Sequence, residues 1–135
     1  MNSSRNFNLE GPILCVLAHP DDEVLGFGAT SHCLSRKGVE IYPIFISGEA
    51  SMRYLGPEKS ILASDCAKAC KILGMKSPVF GDFPNLALHN VVSSEIVKFI
   101  EEAIKKYKPK VLVTHHHGDL NIDHQIISNL CLAAC

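Results

Sequence analysis

Ile13-Leu14-Cys15-Val16-Leu17-Ala18-His19-Pro20-Asp21-Asp22-Glu23 runs from an unbroken apolar stretch straight into an imidazole and three carboxylates. An apolar run without alternation is the pattern of a strand buried on both faces, as in the middle of a parallel sheet. Carboxylates crowded at the end of such a strand repel one another and lose hydration unless a cation sits among them. His19 and Asp22 stand three residues apart, so both can face one ion from a tight turn that opens a helix. A second polar cluster, His115-His116-His117-Gly118-Asp119-Leu120-Asn121-Ile122-Asp123-His124, follows another apolar run, Val111-Leu112-Val113. The two clusters together read as a metal site of mixed histidine and carboxylate ligands.

Outward from these anchors, strands and helices alternate. Strands are expected at residues 12–18, 39–46, 79–81 and 111–114. Helices are expected at 23–37, 58–73, 92–107 and from about Asp123 to the last residue. Gly38, Gly74 and Pro109 act as stops. Polar loops follow the second strand (Ser47 to Pro57) and the third (Asp82 to Asn90). No repeat, linker or low-complexity segment interrupts residues 1–135, which read as one domain. Strands separated by helices and joined by right-handed crossovers make an α/β, Rossmann-like open parallel sheet with helices on both faces. In the order 3-2-1-4 the winding reverses between strands one and four, and ligands bind at the carboxyl ends of strands at such a reversal. The two polar clusters follow those two strands.

The chain has 135 residues, 47% of them apolar and 20% charged, and a net charge of −1. That size lets a single domain bury roughly two thirds of its unfolded surface. The charge supplies no basic field for nucleic acid or anionic lipid, so no nucleic-acid partner is expected. The apolar runs are far short of the ~20 residues needed to span a bilayer. The polar stretch before Gly11 does not read as a signal peptide, and a cytoplasmic location is expected. The six cysteines contain no CxxC pair and read as small buried hydrophobes in a reducing compartment. The apolar edges of so short a domain make homo-oligomerisation an expectation.

His19, Asp22 and His124 are the expected ligands of a divalent cation. Two imidazoles and one carboxylate leave a coordination position open, which is the catalytic zinc pattern, and the same set suits Fe²⁺. A bound water would be acidified towards neutrality, with Asp21 as the general base. His116 and His117 are candidates to stabilise the oxyanion or protonate the leaving amine. The implied reaction is metal-assisted hydrolysis of an amide or ester.

His-Pro-Asp-Asp-Glu after a first strand, with the late pair Asp123-His124, resembles the PIG-L/LmbE-like zinc de-N-acetylases. Ser47-Gly48-Glu49, the helix end Lys71-Ile72-Leu73-Gly74 and Asp82 support the likeness, which covers nearly the whole chain. The resemblance implies removal of acetyl from an N-acetyl amino sugar or its conjugate by a zinc-dependent N-deacetylase, and therefore a small-molecule sugar or glycoconjugate as partner. It carries over His19, Asp22 and His124 as zinc ligands and Asp21 as base. Asp123 matches the carboxylate behind the ligands, and Glu23 matches a residue that supports the loop. Asn121 occupies the position where many members carry a catalytic histidine. An amide can donate to an oxyanion but cannot deliver a proton. Where members often carry an arginine after the Ser47 loop, this chain has Ile61-Leu62-Ala63-Ser64.

Three alternatives stand beside this reading. A metal-binding but weakly active or inactive domain of the same fold, kept for ligand binding or assembly, is compatible with Asn121 and with a last helix that stops uncapped at Cys135, as a C-terminally truncated domain would. A solvated acidic helix start would account for Asp21 to Glu23 alone. A nucleotide-binding module would put its glycines in the turn itself, whereas Gly26 and Gly28 follow the acidic motif and read as close helix–sheet packing. Asp119 is open between orienting a histidine and making an Asx turn. Glu49 and Arg53 are loop residues that either contact substrate or stay solvated. His32, His89 and His115 read as surface or structural residues.

Overall fold

The computed structural model describes residues 9–48 and 58–135. Four parallel strands, β1 (Ile13–Leu17), β2 (Ile41–Phe45), β3 (Val79–Phe80) and β4 (Val111–Val113), form one sheet in the order β3-β2-β1-β4. This is the topology expected from the alternation of elements. β1 is buried along its whole length because it is flanked by β2 and β4 and covered on both faces. In register, Cys15 pairs with Pro43 on one side and Val113 on the other. Pro43 has no amide hydrogen to give to the ladder, yet it sits in the interior strand β2.

The helices divide between the two faces. α1 (Asp22–Leu25), α2 (Gly28–Ser35) and α3 (Lys59–Leu73) lie on one, and α4 (Ser93–Tyr107) and α5 (Ile122–Ala134) on the other. Alternate β1 residues serve the two cores. Leu14, Val16 and Ala18 pack with Ile96, Ile100 and Ile127, while Ile13, Cys15 and Leu17 pack with Leu34, Cys66 and Cys70. On α4 the buried positions Ile96, Ile100 and Ala103 recur at helical spacing, so one stripe faces the sheet.

The single helix expected from Glu23 to Lys37 is in fact two, broken at Gly26 and Phe27. Gly28 faces α3 rather than the sheet. A Cβ there would meet Glu23 O at 3.5 Å and Leu73 at 3.6 Å, and at Gly26 it would meet only Asp22 O. Close helix–sheet packing therefore does not explain these glycines; Gly28 serves a helix–helix seam.

α3 ends where expected, at Gly74 in the left-handed conformation (φ 74°), whose N–H donates to Cys70 O and Lys71 O. A side chain at Gly74 would also collide with Ser35. Gly74→Ala is expected to lower unfolding free energy by about 2–3 kcal/mol, from the left-handed penalty plus displacement of Ser35. Urea denaturation of the two proteins checks this, and an unchanged midpoint would refute it.

Cys15, Cys66, Cys70 and Cys131 are buried, and Cys33 and Cys135 are exposed. Burial pushes the Cys131 thiol from its ordinary 9.0 up to about 11, and it pushes Cys15 higher still. The folded state therefore keeps protons that the unfolded chain loses between about pH 9 and 11. Stability is full below that window and falls as pH rises through it, by up to about 3 kcal/mol for Cys131 alone. Urea midpoints at about pH 8 and 10.5 should show the fall, and Cys131→Ala should flatten part of it.

Candidate metal centre

The carboxyl ends of β1 and β4 lie side by side, and the chain leaves both into polar loops. After β1, Asp21 takes φ 138°, ψ −26°, a conformation unfavourable for a residue with a side chain. Asp21 N–H donates to Glu23 Oε2 at 2.9 Å, and His19 N–H donates to Asp22 Oδ2 at 2.8 Å. The acidic motif thus binds its own backbone into a compact turn, with the His19, Asp22 and Glu23 side chains buried. Glu23 does support the loop, as the resemblance implied.

After β4, the turn is built by Asp119 and Asn121. Asn121 N–H donates to Asp119 Oδ1, and Asp123 N–H donates to Asn121 Oδ1, both at 2.9 Å, which caps α5. Asp123 and His124 on the first turn of α5 then face the end of β1. Asp123, 1% exposed, accepts from Leu88 N–H at 3.3 Å through one oxygen and holds His19 Nε2 at 2.9 Å through the other. Leu88 belongs to a 3₁₀ turn, Leu88–Asn90, that packs against α5.

Each of the two imidazoles is tethered by a carboxylate on one nitrogen. His19 Nε2 is held by Asp123, and His124 Nδ1 by Asp119 at 3.0 Å. With those nitrogens donating, the lone pairs lie on His19 Nδ1 and His124 Nε2, 3.7 Å from Asp22 Oδ2 and 3.4 Å from Asp22 Oδ1 respectively. His124 Nε2 is buried and has no hydrogen-bond partner among the described residues. Burial pushes the Asp22 carboxyl above its ordinary range, against the pull of the His19 amide and His124. An orphaned imidazole lone pair beside a desolvated carboxylate is a polarity mismatch that a cation would relieve. His19, Asp22 and His124 offer donor atoms within 4.8 Å of one another and could hold a metal ion. The donor set fits a divalent ion of the zinc or Fe²⁺ type, with Asp123 and Asp119 fixing the ring tautomers from behind.

His115, read as a surface or structural residue, takes the structural role and faces the cluster while doing so. Its side chain is 9% exposed, stacks on His124 at 3.9 Å between ring centroids, and lies 3.5 Å from Asp22 Oδ2. Its Nε2 accepts from Ala18 N–H at 2.9 Å, closing the backbone at the end of β1. Burial, reinforced by His124 and His19, lowers its pKa to about 4, so it is neutral at pH 7. With Cys15 opposite Val113, the β4 register carried two residues further puts His115 opposite Leu17.

A cavity of about 380 Å³ opens above the cluster, lined among others by Asp22, Phe27, Thr114, His115, His116 and His124. His116 is exposed on its rim, and the His117 ring lies tilted beside it at 4.4 Å between centroids. Asn121 is a cap, and it is not among the residues that line this cavity. Asp119 both orients His124 and makes the turn. His32 and His89 are exposed, and Asp82 pairs on the surface with Lys59 at 2.7 Å. Glu49 and Arg53 lie outside the described residues. Among the described residues no helix is long and apolar enough to cross a membrane.

The profile of a family described as PIG-L: GlcNAc-PI de-N-acetylase matches residues 14–135. The uncharacterized deacetylase YaiS of Escherichia coli (strain K12) is 28% identical over 129 residues, covering 91% of this chain and 67% of that protein. Among solved structures, the conserved protein TT1542 of Thermus thermophilus has a TM-score of 0.79 at 27% identity, covering 94% of this chain and 55% of that one. The N,N'-diacetylchitobiose deacetylase of Pyrococcus horikoshii has a TM-score of 0.79 at 22% identity, covering 90% and 48%. At that identity the last likeness shows the fold alone. The chain spans about half the length of these two solved structures.

Proposed function

This chain belongs to the PIG-L, GlcNAc-PI de-N-acetylase, family, and on that premise we propose that it is the core of a metal-dependent hydrolase that removes acetyl from an N-acetyl amino sugar or its conjugate. One observation carries the reading: two carboxylate-tethered imidazoles turn their remaining nitrogens onto a buried Asp22 beneath an open cavity. The YaiS relative, named a deacetylase, supports acetyl removal, and the sugar comes from the family description and from the chitobiose deacetylase that shares the fold.

His19, Asp22 and His124 would hold the ion, zinc in the first instance. When bound there, a divalent cation supplies an acidified water and polarises the acyl oxygen. Asp21, next in the chain to Asp22, takes a proton from the attacking water. Water adds to the acyl carbon, the C–N bond breaks, acetate leaves, and the amine departs with a proton. His116 on the cavity rim, backed by His117, stabilises the oxyanion or gives that proton. His115 is held neutral by burial and by its acceptor role towards Ala18 N–H, so it positions Asp22 and His124 and is a poor acid near pH 7. Asn121 acts by fixing the α5 turn that presents Asp123 and His124.

The test is metal content of the purified protein together with acetate release from N-acetylglucosamine conjugates. At least one zinc per chain with acetate release supports the reading. Bound metal without release from any such conjugate would favour the inactive metal-binding domain, and absence of metal binding would end both.

A further inference from the structure

A second group of ligand-type side chains lies on the α1–α3 face, apart from the cluster described above. Cys66 and Cys70 are one helical turn apart on α3 and both are buried. That spacing projects two side chains from one helix face, as paired i, i+4 histidines do in helical zinc sites. Glu23 of α1, 2% exposed, meets them. The three side chains offer one oxygen and two sulfurs within 4.8 Å of one another. Cys15 of β1 packs in the same cluster of buried side chains.

Two buried thiols alone would be ordinary small apolar packing. Burying a carboxylate costs free energy unless a cation or donors compensate; the Asp21 N–H compensates Glu23 Oε2 at 2.9 Å, and a cation held with the two sulfurs would add to that compensation. A tetrahedral zinc-type ion, with ligands at about 2.0–2.3 Å, wants donors about 3.3–3.8 Å apart. The three donors, within 4.8 Å of one another, would have to close to that separation around the ion.

We propose that Glu23, Cys66 and Cys70 form a second metal site, selective for a thiophilic divalent cation such as Zn²⁺ or Cd²⁺. The ion replaces the two thiol protons, which pass to solvent, so M²⁺ plus two S–H gives a dithiolate complex and two H⁺. Sulfur ligation separates this site from the nitrogen and oxygen donors of His19, Asp22 and His124. It reaches solvent by opening of α1, a single turn of helix.

The test uses Cd²⁺ with the full chain carrying Cys33→Ser and Cys135→Ser, which removes the exposed thiols. Expected are two Cd²⁺ per chain, one of them producing a sulfur-to-cadmium charge-transfer band and a cadmium NMR resonance in the range of two thiolates. Binding of that ion should release two protons. His124→Ala should leave the band intact, and Cys66→Ala with Cys70→Ala should abolish it. Absence of the band and of a sulfur-range resonance in the Cys33/Cys135-substituted chain overturns the proposal without needing the core cysteine variant to fold. A band that survives loss of both Cys66 and Cys70 overturns it equally.

Discussion

His124→Ala is expected to weaken zinc binding by at least about 100-fold, since losing a direct ligand should exceed the 10–100-fold cost of losing a partner behind one. The side chain does three things at once. It turns a buried, unpartnered Nε2 onto Asp22, it stacks on His115, and it occupies Asp119 through Nδ1. Truncation removes the lone pair and leaves Asp22, already desolvated, with one fewer compensating group. Because His124 sits on the first turn of α5 and its backbone is capped by Asn121 independently of its ring, the fold should persist. Competition for zinc against a chromophoric chelator gives the affinity, and circular dichroism controls for the fold. Zinc affinity equal to that of the unaltered protein would show that the ion, if bound, sits elsewhere.

Asp21→Asn is expected to lower acetate release by about 10²–10⁴-fold, the usual worth of a positioned general base, with zinc stoichiometry unchanged. The substitution keeps the shape of the side chain and removes its ability to take a proton. It also leaves the backbone bond that holds this strained residue, because Glu23 Oε2 accepts from the Asp21 amide and not from its side chain. The measurements are kcat by acetate detection and metal by atomic absorption on the same sample. A variant that keeps full acetate release would remove Asp21 from the role of base; one that loses metal and activity together would make it a structural residue of the turn.

Much of this protein is legible from local pattern. β1 shows because a central strand of a parallel sheet must be apolar on both faces, and Ile13 to Ala18 contains nothing else. α3 and α4 show because their stops are chemical: Gly74 at positive φ, and Pro109 directly after Lys108 at φ 46°. Gly26 misled the reading of the first helix, since one glycine inside a periodic stretch is compatible with either a continuous or a broken helix. The turn that opens α1 is made by Asp22 and Glu23 accepting from the His19 and Asp21 amides, and periodicity carries no trace of it.

The site divides in the same way. His19, Asp22 and His124 were recognisable by residue type and by their place after two apolar runs. The tethers were not. That Asp123 reaches His19, 104 residues away, and Leu88 N–H with its second oxygen follows only from α5 packing against β1 and the Leu88 turn. His115 could be read only as surface or structural, because three consecutive histidines look alike until the β1–β4 register selects the one that faces inward.

By itself, then, the order of residues determined which strands are buried, where most helices stop and which side chains carry charge to the sheet's carboxyl end, since each of these is a local consequence of hydrophobic period, turn chemistry and residue type. Tertiary structure alone decided which nitrogen of each imidazole is tied and which faces Asp22, and that Glu23 turns inward to meet Cys66 and Cys70. Those outcomes depend on distances between elements far apart along the chain, which are set by sheet register and helix packing.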